Sequence, residues 1–150
     1  LIQAAIQLAG AATTEHHIIV EADETLPMVK LDQALIEQCL CNLLLNAASW
    51  SKPGTAVIVR AVLQGDELAV SVLDEGPGMN ESDLRRIFEK FYRASDARPG
   101  GVGLGLAIVD GFVRAHGGSA RAANRENGGA EFALTIPAAI MRADAMEDSA

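Results

Sequence analysis

Thr55-Ala56-Val57-Ile58-Val59-Arg60-Ala61-Val62 and Glu67-Leu68-Ala69-Val70-Ser71-Val72-Leu73 flank Gln64-Gly65-Asp66. Two runs rich in β-branched residues around a glycine-centred turn predict an antiparallel hairpin. What surrounds the hairpin decides the fold class. Upstream, Asp32 stands where a helix N-cap belongs, and Leu35, Ile36, Cys39, Leu40, Leu43, Leu44 and Ala47 recur at helical spacing to about Ser49. Lys52-Pro53-Gly54 stops that helix and turns the chain. Downstream, Asp74 to Gly78 is a glycine-rich loop, Glu81 to Phe88 a short helix, and Gly103 to His116 a longer one. Ser119 to Ala123 and Glu131 to Ile136 read as strands joined through Asn127-Gly128-Gly129. Residues 1–12 read as a helix and Glu15 to Val20 as a strand carrying two histidines, while the tail after Pro137 has little periodicity and is expected to fray. Hairpins mixed with long helices predict an α+β, two-layer fold, its mixed, mostly antiparallel sheet covered by helices on one face.

The chain has 150 residues, 49% of them hydrophobic, enough for one domain with a substantial core. Charged residues make up 21% and are spread along it, which excludes a disordered body. Its apolar runs, such as Leu43 to Leu45 and Leu106 to Val109, are far shorter than the ~20 residues of a membrane span. The formal net charge of −8 argues against a nucleic-acid partner, which needs a concentrated basic footprint. Local backbone amides can still hold a small anion. Cys39 and Cys41 point to different helix faces and are expected to be reduced core residues. The start, Leu1 to Ala12, lacks the basic region of a signal peptide, and a first residue other than Met suggests a fragment of a longer protein.

Four stretches carry chemistry. Asn42 and Asn46 lie four residues apart, hence on one helix face, amid apolar neighbours. Their oxygens suit a hard cation, although both amides could equally bond local backbone. Asp74-Glu75-Gly76-Pro77-Gly78-Met79 puts a carboxylate at a strand end, where it can accept from a heterocycle's amino group or simply start a turn. Gly101-Val102-Gly103-Leu104-Gly105-Leu106 is a glycine-rich entry into a helix and a potential anion site, unless the glycines merely ease helix packing. It is neither a dinucleotide fingerprint nor a phosphate loop, having no strand directly before it and no Lys-Ser/Thr pair after it. Phe88-Glu89-Lys90-Phe91-Tyr92-Arg93 clusters aromatics and cations that otherwise make local core and solvated charge.

In order and spacing, these stretches resemble the asparagine box, first glycine box, phenylalanine box and second glycine box of sensor histidine kinases. The likeness covers roughly residues 15–137. It implies a histidine kinase catalytic, ATP-binding domain with the Bergerat fold, shared with DNA gyrase, a heat-shock chaperone family and the MutL ATPases. Residues 1–14 would then end a linker helix and 138–150 form a flexible tail. Leu26-Pro27-Met28-Val29 with Asp32, and Asn124-Arg125 with Gly128-Gly129-Ala130, look most like potassium-responsive Kdp-type sensor kinases.

The resemblance implies ATP and Mg²⁺ as ligands. Asp74 would hold the adenine amino group, with Gly76, Gly78 and Met79 shaping the pocket. Asn46 would ligate the metal, and Asn42 would support metal or phosphates. Lys90, Tyr92 and Arg93 would flank the nucleotide, the two cations reaching for phosphates. Gly101, Val102, Gly103, Leu104, Gly105 and Leu106 would close a lid over about Ala94 to Gly101. Ser49 and Trp50 stand where the family often has Lys and Tyr. Trp50 still offers a face to adenine, but the missing Lys predicts modest affinity. In the ATPase relatives a Glu one turn before the metal-binding Asn activates water. That place is Asn42, which cannot act as a general base, so the site is expected to hold ATP for an external nucleophile.

By the same resemblance, the phosphoryl acceptor is a His on a separate dimerising helical hairpin, which passes the group to a response regulator. The fragment would belong to the cytoplasmic portion of a membrane-bound sensor kinase. His16, His17 and His116 are expected to be structural, leaving no catalytic acceptor in the chain. Two rivals are a serine kinase of the anti-sigma type, which usually lacks the phenylalanine-rich block, and a degenerate binding module.

Overall fold

Strict alternation along Ala56–Gln64 sends Val57, Val59 and Ala61 to one side, and the whole architecture follows from burying that side. A computed structural model describes residues 2–10, 14–22, 29–30, 32–90, 92 and 105–140. Its strands are β1 (His17–Ala22), β2 (Val29–Lys30), β3 (Ala56–Gln64), β4 (Glu67–Leu73), β5 (Ser119–Asn124), β6 (Ala130–Pro137) and β7 (Ala139–Ile140). Its helices are α1 (Ile2–Ala9), α2 (Gln33–Trp50), α3 (Glu81–Arg86) and α4 (Gly105–Ala115). The main sheet has the order β1-β3-β4-β6-β5, parallel only between β1 and β3. The α+β expectation, a mixed and mostly antiparallel sheet with helices on one face, holds.

The register lines up one row of side chains across all five strands: Val20, Val59, Val72, Phe132 and Ala122. Phe132, Val59 and Val72 are fully buried, packed with Leu40, Leu43, Leu44 and Ala47 of α2 and Val109 and Val113 of α4 in one core. Ala5 and Ala9, one turn apart, let α1 lie close on α2. The opposite sheet face is mixed, carrying exposed Ile19 and Val62, the Glu21–Arg60 ion pair at 2.8 Å and Arg121 near Glu131 at 3.6 Å. Both cysteines are free and buried, as expected, and burial raises the Cys39 thiol pKa to about 11.

Several boundaries differ from expectation for identifiable reasons. β1 starts two residues late, because Glu15 accepts from Gly54 across the turn, and the ladder opens only at His17, which donates to Thr55. α3 stops at Arg86, and Ile87 turns into the core. The chain continues to pair beyond Pro137: Ala138 is buried, donates to Asp66 at 2.7 Å, and leads into β7, antiparallel to β2. A two-residue pairing between remote segments leaves no periodicity in the sequence. Residues 141–150, the rest of the expected tail, lie outside the described residues.

Candidate functional site

Asn42, Asn46 and Trp50 recur every four residues on α2 and share one face. That helix is positioned from its start by Asp32, whose side chain accepts from Leu35 N–H at 3.1 Å. Asn42 reaches the first residue of α4, its Nδ2 donating to the Gly105 carbonyl at 3.5 Å. At the other end, a Cβ on Gly76 would lie 2.6 Å from the Trp50 carbonyl, so the 74–79 loop rests against the end of α2. Asn46 sits between these contacts. Its Nδ2 is buried and has no hydrogen-bond partner among the described residues. Exposed Ser49 donates its hydroxyl to the Asn46 carbonyl at 2.8 Å.

Asp74 follows the last residue of β4 and is 1% exposed. Its Oδ1 accepts from the backbone N–H of Gly76 at 2.9 Å and of Ala130 at 3.1 Å. Its Oδ2 is equally buried and has no partner among the described residues. Burial pushes the carboxyl pKa up, against the opposing pull of the two N–H groups and of the Arg125 charge. An acceptor left unpaired inside a protein costs about 1–3 kcal/mol, so a donor brought to Oδ2 recovers that cost.

The turn between β5 and β6 closes over this loop. Arg125 Nη1 donates to the Asp74 carbonyl at 2.8 Å. Asn124 accepts from Met79 N–H at 2.8 Å and donates to the Met79 carbonyl at 2.6 Å. Two glycines with positive φ make room: Gly78 at +75°, against the Asn124 amide, and Gly129 at +96°, where a Cβ would run into the Asp74 carbonyl. Asn124, Arg125, Gly129 and Ala130 were not among the expected site residues. The Asn-Arg…Gly-Gly-Ala spelling was the available signal, but nothing local to it points at a loop about fifty positions earlier.

The remaining expected residues divide. Met79, Trp50, Phe88 and Tyr92 pack at the edge of the core. The Tyr92 hydroxyl donates to buried Asp83, which raises the tyrosine pKa, and its ring lies 4.6 Å from the Arg86 guanidinium. Its polar end is thus engaged with α3. Lys90 is exposed. Gly105 is exposed at the start of α4, and Leu106 buries its side chain in the core. Phe91, Arg93, the expected lid and Gly101, Val102, Gly103 and Leu104 lie outside the described residues. His116 bonds the Phe112 carbonyl through Nδ1 at 2.9 Å, and His16 Nε2 lies 3.1 Å from buried Ser51 while its Nδ1 is buried with no partner among the described residues.

An open sheet with helices on one face thus carries a buried carboxylate at a strand end, on a loop that rests against the end of an asparagine-bearing helix. Residues 31–140 match the family model of histidine kinase-, DNA gyrase B- and HSP90-like ATPases, and the chain belongs to that family. Within it the chain is of the sensor histidine kinase type. It is 38% identical over 141 residues to the sensor protein KdpD of Clostridium acetobutylicum, an alignment covering 91% of this chain and 16% of that protein. Its fold matches a mycobacterial sensor histidine kinase, MprB, with TM-score 0.82 and 29% identity over 93% of this chain and 95% of the other. It also matches full-length ShkA in complex with AMPPNP, with TM-score 0.78 and 30% identity over 95% of this chain and 31% of the other.

Proposed function

We propose that this domain binds Mg-ATP between α2, the 74–79 loop and the start of α4, and donates the γ-phosphate to a histidine on a separate phosphoacceptor domain of a two-component sensor kinase. One observation carries the nucleotide half: the buried Asp74 carboxylate, with Oδ1 bonded twice and Oδ2 unpaired, matches the exocyclic amino group of adenine. The AMPPNP bound to ShkA supports the same ligand class.

The residues also fit a magnesium ion. The Asn46 Nδ2 is buried and unsatisfied on a half-buried residue, and side-chain amide N and O exchange by a half-turn, so this group can present its oxygen to a cation. Among the described residues no three His, Cys, Asp or Glu side chains gather into a metal cage. One amide oxygen, completed by water and phosphate oxygens, is the shell Mg²⁺ accepts. When bound, the ion would neutralise phosphate charge. The chain's part is alignment, which is most of what phosphoryl transfer asks of a protein. Asn42 offers no general base, so bound ATP waits for the incoming imidazole.

The acceptor domain, and through it a response regulator, are the partners this reading names. By the same reading the domain belongs to the cytoplasmic part of a sensor kinase. No helix among the described residues is long and apolar enough to cross a membrane. Calorimetric titration of a non-hydrolysable ATP analogue, with and without Mg²⁺, tests the reading. Saturable binding strengthened by Mg²⁺ is expected, and Asn46→Ala should remove most of the Mg²⁺ effect while preserving binding. A folded sample that binds no analogue at millimolar concentration would instead indicate a degenerate module.

A further inference from the structure

We infer that Asn124 and Arg125 are positioning residues that aim the Asp74 carboxylate at the base and thereby set the preference for adenine over guanine. The inference rests on the nucleotide site proposed above. The 74–79 loop is held at both ends by one turn. Arg125 Nη1 holds the Asp74 carbonyl at 2.8 Å, and the Asn124 amide bonds both backbone groups of Met79, as a strand partner would. Arg125 N–H itself donates to the Gly129 carbonyl at 2.9 Å, tying the clamp to the turn that delivers the Ala130 N–H to Asp74 Oδ1. Gly78 and Gly129 lack the side chains that would pry loop and turn apart.

The consequence is directional. With Oδ1 fixed by two N–H groups and the Asp74 backbone fixed by Arg125, Oδ2 has one orientation in which to accept. Hydrogen bonds weaken steeply once the donor angle falls below about 120°, so a loop free to rock loses this bond first. Adenine presents an amino donor at the edge where guanine presents a keto acceptor. Aim therefore matters to ATP affinity, whereas GTP gains nothing from Oδ2.

The experiment measures the affinity of non-hydrolysable ATP and GTP analogues, with Mg²⁺, for the unmodified chain and for Asp74→Ala, Asn124→Ala, Arg125→Ala and Arg121→Ala. Melting temperatures are recorded alongside. Arg121 is exposed on β5, with its guanidinium 3.6 Å from Glu131, and its variant should behave as the parent. Asn124→Ala and Arg125→Ala should each weaken ATP binding about 3- to 10-fold, leave GTP binding unchanged, and so narrow the ATP/GTP ratio. If Arg125→Ala does not melt cooperatively, Arg125→Lys and Asn124→Ala carry the same comparison. Retention of the parental ATP affinity and ratio by both clamp variants, with Asp74→Ala impaired, would overturn the clamp and leave the site standing. Equal loss of both nucleotides together with a lowered melting temperature would also overturn it, as a structural role only. An unmodified chain that binds neither analogue would remove the site and the inference together.

Discussion

One oxygen of Asp74 accepts from two backbone amides, while the other, a bond angle away and equally buried, accepts from no described group. Asp74→Ala removes a charge-assisted bond of about 1.5–3 kcal/mol and should lower ATP affinity about 10- to 100-fold in calorimetry, with the fold intact. Asp74→Asn keeps an acceptor for Gly76 and Ala130 but places an NH₂ at the Oδ2 position, donor against donor. It should lose comparable affinity without melting earlier than the parent. Burial raises the Asp74 pKa, so the folded chain holds this proton more tightly than the unfolded one. The group therefore costs stability at neutral pH, and that cost is relieved as the pH falls through the folded-state pKa. Nucleotide affinity runs the other way. ATP binding should weaken on acidification from a higher pH than an ordinary carboxylate would dictate, and the Asp74→Asn variant should not show that dependence, which titrations between about pH 4 and pH 7 would read. The sequence pointed to Asp74 through its strand-end, glycine-rich setting. It could not reveal which oxygen is spare, because that is decided by a β6 amide 56 residues later.

At the scale of elements, legibility followed periodicity. The helix from Asp32 to Trp50 announces itself through repeated apolar positions and a capping carboxylate, and the β3–β4 hairpin through alternation around Gly65-Asp66. The register of β1 did not, since a parallel partner is chosen by strands and turns far away in the chain. Nor did the β2–β7 pairing, two residues a side, or the clamp formed by the β5–β6 turn. Two substitutions separate element stability from site geometry. Asp32→Ala removes the α2 cap and should cost about 1 kcal/mol in chemical denaturation, with nucleotide affinity unchanged. Gly129→Ala puts a methyl group against the Asp74 carbonyl at a φ of +96°. It should lower both stability and ATP affinity, the second by more than the Asp32 variant does, in the same pair of measurements.

For the whole molecule, one row of side chains from Val20 to Ala122 ties the five strands to a single helical layer. All three histidines belong to that scaffold or its rim, with His116 bonded at the end of α4, His16 at Ser51, and His17 exposed on β1. Incubated with labelled ATP and Mg²⁺, the chain alone should acquire no acid-labile phosphoryl group, as an acid-sensitive filter assay would show; label on His17 would contradict the proposed external acceptor. The site itself spans the chain, since the loop beginning at Asp74 is completed by donors 51 and 56 residues further on. During synthesis at about 5–20 residues per second, roughly three to eleven seconds separate the emergence of Asp74 from that of Ala130. A nascent chain in that interval has the hairpin sequence but not the donors that complete the 74–79 loop. On the proposed function, a nucleotide could therefore not template the early sheet and would act as a late ligand of a domain already closed.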